Sequence, residues 1–497
     1  MRADVAIALF LLLLGPVAAQ PVGSPGTPVN PEPKPPEAAT LKLTLDEALH
    51  KSLEDNPDLG QARARIVQAQ KAIDLAYLPL QVTLSSNLSY SRTLEPVPRA
   101  GLSSFFSSLI PGLVSSSSAP SANSYNGTFV LQKTITTFGR VHWDALAKKL
   151  SKKQSQQDYR TAIETLLQTV EKAYVAVQLA EVQVKLARTR LDNHSEYLRL
   201  SQNLFKAGKI AEFEIIQSNA ALQSTKQQLQ DAQKTLETSK VVLAVVMGLP
   251  PLTPMELAET PTPPPPPNYD TGLVRALERR PELAGLRWSL ASAQANAVAQ
   301  ALSSSPTLTA FSQYSGTYVP VTPLSINWVA GLQLQIPILD GGQSVYLRQQ
   351  AEAVAEEIRQ SLASQERSVK QDVAQNYLLL KSYWEQLSQT KIAAQQNDEA
   401  LKIAFTRFRA GVSSGTELLN AQDNWSNSQL AMLSVEASYR SSLADWRRSI
   451  SSEYPFELPP SMVVDWELPP MPLPPGVEPS EEQLNPPNPV IPSGKNE

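Results

Sequence analysis

The chain has 497 residues, no cysteine, three histidines and a formal net charge of −4. Without thiols there is no disulfide scaffold, no thiolate metal site and no lipid on an N-terminal cysteine. His50, His142 and His194 lie too far apart for metal-ligand spacing, and a nearly neutral chain carries no electrostatic footprint for nucleic acid.

Arg2, the apolar run 6–14, Pro16 and the small residues Val17-Ala18-Ala19 read as a secretory signal over residues 1–19. The run is too short to span a bilayer, which takes about 20 apolar residues, and no later segment is long enough either. The 41 prolines gather in a leader (20–40), a linker (249–269) and a tail (453–497). Such stretches tend to polyproline II and exclude helix interiors. They frame two segments, 41–248 and 270–452, that are almost free of proline.

These segments are copies of one plan. Leu204-Phe205-Lys206-Ala207-Gly208 resembles Arg407-Phe408-Arg409-Ala410-Gly411, and Glu214-Ile215-Ile216 resembles Glu417-Leu418-Leu419. Tyr174 pairs with Tyr377, and Gly139 with Gly342, all at one offset of about 203 residues. Asn56-Pro57-Asp58-Leu59 pairs with Arg280-Pro281-Glu282-Leu283 at an offset about 21 larger, so the first copy carries an insertion. The serine-rich stretch 102–121 is its expected place, in a loop over about 92–122 outside the cell.

Each copy predicts helix, strand, strand, very long helix, turn and helix. Helical periodicity runs from Leu45 to Tyr77 and from Leu273 to Leu302, ended by Pro79 and Pro306. Alternation then predicts strands over 80–91, 123–135, 307–318 and 326–337. Val82, Leu84, Leu88 and Tyr90 oppose Gln81, Thr83, Ser85 and Asn87. Ile326, Trp328, Ala330, Leu332 and Leu334 oppose Asn327, Gln333 and Gln335. Residues 140–205 and 343–408 hold no proline, so each predicts a helix of about 100 Å. One apolar stripe runs Ile163, Leu166, Val170, Tyr174, Val177, Val184, Leu191, Leu198, Phe205. The other runs Leu347, Ala351, Val354, Ile358, Leu362, Val369, Val373, Tyr377, Leu380, Trp384, Leu387. Such stripes need partner helices along their whole length. Shorter helices return over 211–247 and 416–450.

Four strands with one apolar face cannot close alone. If that face meets lipid, the strands must join a closed barrel, because open edges are not tolerated in hydrocarbon. A barrel begins at about eight strands, so the chain must oligomerise. Tyr125, Tyr314, Tyr318 and Trp328 are candidates for its interface girdles. The competing architecture is a secreted coiled-coil scaffold or adhesin with a soluble β head. No nucleophile–base pair and no phosphate loop is present, so neither catalysis nor a cofactor is expected.

The duplicated strand–strand–long-helix plan, Leu43-Thr44-Leu45-Asp46-Glu47-Ala48-Leu49, Asn56-Pro57, Ile338-Leu339-Asp340-Gly341-Gly342 and the paired Phe-x-Ala-Gly turns together resemble the TolC family of outer-membrane efflux proteins. The resemblance covers about 41–452. It implies an α+β membrane protein: a homotrimer with a twelve-stranded β-barrel in outer-membrane lipid and a periplasmic α-helical coiled-coil barrel. It also implies a periplasmic adaptor protein and an inner-membrane pump of RND, ABC or MFS type. The function implied is a passive outlet for tripartite efflux or type I secretion, gated at its periplasmic tip. Docking is expected at the tip turns Gly208-Lys209-Ile210-Ala211 and Gly411-Val412-Ser413-Ser414. The family's acidic constriction maps to Glu417 and Asn420, with Glu214 and Gln217 as the first-repeat positions. One of the two acids of the second repeat is here an amide. Ser414-Gly415-Thr416-Glu417 also reads as a helix capping box.

Overall fold

The computed structural model describes residues 41–54, 56–92, 123–258, 260–319 and 322–452. The expected signal segment, leader, inserted loop and tail lie outside the described residues. Chain order is β1 (Leu41–Leu43), α1 (Leu45–Glu54), α2 (Pro57–Ala76), β2 (Val82–Arg92), β3 (Asn123–Thr136), α3 (Arg140–Lys206), α4 (Glu212–Val246), β4 (Met255–Leu257), α5 (Tyr269–Arg279), α6 (Pro281–Ala301), β5 (Thr307–Val319), β6 (Thr322–Gln335), α7 (Gln343–Arg409) and α8 (Gly415–Ser449). Among the described residues no helix is long and apolar enough to cross a membrane.

The first helix of each repeat is two helices, not one. The chain breaks at Asn56-Pro57 and at Arg280-Pro281, where residues 56 and 280 are extended (ψ 124° in both). Proline lacks the N–H a continuous helix would need and forces its predecessor out of the helical region. The break has a use. Asn56 Nδ2 donates to the Val246 carbonyl at 3.1 Å, and Arg280 Nε donates to the Ser449 carbonyl at 2.7 Å. In both repeats, then, the last helix meets the second helix end to end.

The proline-rich linker also holds structure. Met255–Leu257 pairs in parallel with Leu41–Leu43, and Tyr174 Oη lies 2.8 Å from the Ala258 carbonyl. Three short paired residues between prolines leave no alternation long enough to read.

The four strands form one antiparallel sheet in the order β2-β3-β5-β6. Register places Tyr90, Tyr125 and Tyr318 in one row, with ring centroids 5.0 and 6.0 Å apart. Four residues along the strands, Phe129, Tyr314 and Trp328 form a second row. Of the expected girdle residues, Tyr125 and Tyr318 thus share the outer row, joined by Tyr90, whereas Tyr314 and Trp328 lie a level deeper. This face also carries Val82, Leu84, Leu88, Leu131, Leu332 and Leu334, nearly all exposed in the single chain. The opposite face carries Thr83, Asn87, Asn126, Thr128, Gln132, Gln313, Asn327 and Gln333. Phe311 breaks its polarity and packs over Gly331.

Below the sheet, α3 and α7 are 67 residues each, about 100 Å. The upper helices contact in the order α2-α3-α6-α7, and lower down α3 meets α4 and α8 while α7 meets α8. The buried face of α3 departs from the predicted stripe near its end. His194, Tyr197 and Ser201 are buried, whereas Leu191 and Leu198 are half-buried and Phe205 is exposed. Steps of seven drift about 20° per heptad on a straight helix, so a stripe extrapolated by sevens slides off the contact face. Likewise Leu167 takes the buried place expected for Leu166, and Ala355 that of Val354.

Candidate functional site

The far ends of the long helices carry the candidate site. Each ends in the same six-residue closure. Gly208 (φ +69°) donates to Phe205 O and Lys209 N to Leu204 O. Gly411 (φ +75°) donates to Phe408 O and Val412 N to Arg407 O. This paired pattern needs a left-handed residue after the helix, and glycine adopts it without a Cβ penalty.

The structure brings the two turns together. The Lys209 side chain lies against Gly411, and the half-buried Glu214 carboxylate lies against buried Gly415, where a methyl group would overlap it and the Tyr197 hydroxyl. Tyr197 Oη donates to Glu214 Oε2 at 3.3 Å. Burial, with the Glu214 charge beside it, pushes the Tyr197 pKa up, so the phenol stays a donor. Within the single chain the Glu214 carboxylate is therefore turned onto its own hairpin neighbours.

Glu417 is exposed. Ser414 Oγ accepts from Glu417 N at 3.2 Å, which is half of a capping box. The other half is missing, because the Glu417 carboxylate pairs with Arg407 at 2.9 Å across the same hairpin. Asn420 is exposed, and Gln217 is half-buried with its Oε1 unpartnered. Ile210 is half-buried and Ala211 exposed, preceding α4 with no side-chain cap.

Several tip residues escape the sequence reading. Arg190 pairs with Asp423 at 2.5 Å and donates to Gln228 at 2.8 Å, joining α3 to α8 and α4. Trp425 Nε1 donates to Asp398 at 3.1 Å, joining α8 to α7. Phe213 and Ile216 are exposed by 67% and 63%, apolar groups facing water at the start of α4, beside Val412 of the expected docking turn, exposed by 69%. The charged pairs left no sequence signal, because their partners lie far apart in the chain. Phe213 and Ile216 did: they stand beside the acids Glu212 and Glu214 at the start of α4.

At the sheet end, Asp340 anchors α7. Its carboxylate accepts from Ser304 Oγ (2.5 Å), Ser344 Oγ (2.6 Å), Gly342 N (2.9 Å) and Ser344 N (3.0 Å). These donors, the Ser304 hydroxyl first, hold it well below the usual carboxylate range. Among the described residues no cluster of histidine and carboxylates could hold a metal.

A sequence profile of the outer membrane efflux protein family matches residues 48–249 and 272–450, both repeats. The chain belongs to the outer membrane efflux protein family. It is 26% identical over 382 residues to the pyoverdine export outer membrane protein OpmQ of Pseudomonas aeruginosa, covering 76% of this chain and 78% of that one. It is 24% identical over 411 residues to the toluene efflux pump outer membrane protein TtgC of Pseudomonas putida, covering 78% and 79%. The CmeC outer membrane channel of Campylobacter jejuni superposes with TM-score 0.66 at 18% identity, over 82% of this chain and 85% of that one.

The efflux protein fold explains the two unpaired sheet edges. In the trimeric channel, three four-stranded sheets close one twelve-stranded barrel in the outer membrane. Its apolar face meets lipid and its polar face the lumen. The helices extend the conduit into the periplasm. The efflux protein is a passive outlet of an efflux or type I secretion system, working with an adaptor and an inner-membrane pump. A soluble-headed scaffold or adhesin is not supported.

Proposed function

We propose that the joined helix tips are the periplasmic gate of this outlet and its adaptor-docking surface, and that the outlet does not choose its cargo. The carrying observation is the strength of the ties. Waist contacts between α3 and α8 hold buried carboxylates: Glu164 pairs with the nearly buried Arg448, and Glu171 with the half-exposed Arg447. At the tip the Arg190–Asp423 pair keeps a half-exposed aspartate, and Arg407–Glu417 is exposed. Exposed pairs contribute up to about 1 kcal/mol each. Ties that weak can yield to docking free energy, while the waist stays fixed as a fulcrum.

Glu214, Gln217, Glu417 and Asn420 then flank the constriction, with Glu214 also serving as a tie. The turns 208–211 and 411–414 present the docking surface, and Phe213, Ile216 and Val412 offer it apolar area. The lumen face is mostly neutral Ser, Thr, Asn and Gln, which suits cargo of many kinds. Pyoverdine and toluene, named for two relatives, share little chemistry.

Two substitutions separate gate from dock. Asp423→Asn removes a tie and should raise single-channel conductance at neutral pH several-fold in planar bilayers. Ile216→Asp should abolish export in cells while leaving conductance and barrel insertion at wild-type values. A closed Asp423→Asn channel would sink the gate, and normal export by Ile216→Asp would sink the dock.

A further inference from the structure

Arg190, His194, Tyr197 and Ser201 are spaced four, three and four residues apart, so they share one face of α3. That face meets α8. Arg190 pairs with Asp423 at 2.5 Å, and Tyr197 lies against Gly415. The two contacts run in opposite directions along the helices, which places His194 between the ties, at the level of Leu418 to Gln422. The imidazole is 2% exposed, and neither ring nitrogen has a hydrogen-bond partner. The Gln422 amide, 1% exposed, is unpartnered too.

A neutral ring is tolerable there, whereas a protonated one adds a charge and a second donor. The charged groups that bear on it are Arg190 on its own helix and Asp423 on α8. Asp423 is already held by Arg190. From α4, Glu214 takes the Tyr197 hydroxyl and Gln228 takes Arg190. From α7, Asp398 takes Trp425 and Lys402. Among the described residues the one carboxylate that bears on the ring, Asp423, already has a cation for partner.

We propose that protonation of His194 loosens α8 from α3 at the tip, so that the gate opens more readily as the periplasm acidifies. The inference rests on reading the tip ties as the gate. Burial first, and Arg190 second, hold the ring's pKa down at about 4, against an ordinary 6.5. A lowered histidine pKa favours the closed tip fully above pH 6.5 and loses that advantage as pH falls toward 4. If opening frees the ring to titrate normally, going from neutral pH to pH 5 shifts the equilibrium toward open by roughly 25-fold per protomer.

The test uses full-length trimers in planar bilayers, with the periplasmic side taken from pH 7.5 to pH 5. Open probability of the wild type should rise steeply, and His194→Leu and His194→Gln should stay flat while matching wild type at pH 7.5. Hydrogen exchange of residues 415–426 in the wild-type trimer, corrected for intrinsic rate, should lose protection over the same range. A flat wild type in both measurements, or variants that follow its pH profile, would overturn the proposal. Asp423→Asn at neutral pH separates the two failures. If it opens while the wild type ignores pH, only the histidine inference is lost. If it stays closed, the gate reading itself is lost.

Discussion

The two long helices have the same length and opposite surroundings. Both run 67 residues, yet α3 buries twenty of them and α7 nine. The cause is position in the layer. Helix α3 touches α1, α2, α4, α6 and α8, whereas α7, at the edge, touches α5, α6 and α8. Leu378, Leu379, Ile392 and Ile403 of α7 are left exposed in the single chain, on surface that a neighbouring protomer or the lumen must meet. Duplication therefore copied the elements but not their environments, and equivalent positions have taken up different physics.

The sharpest divergence is at the waist. Arg448 in α8 is nearly buried and bonds Glu164 at 3.2 Å and also Glu282. The matching Val245 in α4 is 55% exposed. Burial pushes the pKa of Glu164 up, with the Ser451 hydroxyl and Arg448 opposing it. Removing the arginine leaves Glu164 only Arg160 at 3.4 Å and the Ser451 hydroxyl, and takes the partner from Glu282, so Arg448→Met should cost about 3 kcal/mol. Val245→Met should stay within about 0.5 kcal/mol. Denaturant midpoints of detergent-solubilised trimers compare the pair. Equal costs would mean the ion network does not distinguish the repeats.

A smaller effect is expected where the two repeats end. Gly248 (φ +75°) and Ser451 (φ +49°) close α4 and α8 with the same left-handed motif. Ser451 tolerates that backbone while donating its hydroxyl to buried Glu164 at 2.5 Å. Ser451→Ala keeps the strain and loses the bond, so it should cost about 1.5 kcal/mol. Gly248→Ala acquires strain alone, about 1 kcal/mol. The ordering should reverse if the Ser451 hydroxyl contributes nothing.

The smallest contrast lies at the strand-to-helix junctions. Thr137 and Asp340 occupy the same place, and each accepts from the amide four residues on, at 3.2 and 3.0 Å. The next residue is left-handed in both, Phe138 at φ +51° and Gly341 at φ +64°. An added Cβ at Gly341 would touch nothing within 4 Å, so Gly341→Ala isolates the backbone cost, about 1 kcal/mol. Phe138→Gly should leave stability unchanged or raise it slightly. Thermal midpoints would show whether the first repeat carries this strain uncompensated.

Much of this molecule was written along the chain. Proline placement marked the segment ends, and period-two alternation in 82–91 and 326–335 named the faces of the sheet. Proline-free runs with Gly208 and Gly411 at their ends set the long helices and their turns. These signals are local, because alternation, helical period and left-handed turns depend on residues within a few positions of one another. What lay beyond reach is what distant residues do when packed. The Asn56–Val246 and Arg280–Ser449 junctions, the β1–β4 pairing, the Arg190–Asp423 tie and the turning of Glu214 onto Tyr197 and Gly415 join elements far apart in sequence or across a turn. Charged and polar side chains carry no period that names their partner. Whether such a residue faces water, lumen or a buried counter-ion is settled only when the helices are laid side by side, as the exposed Val245 and the buried Arg448 show.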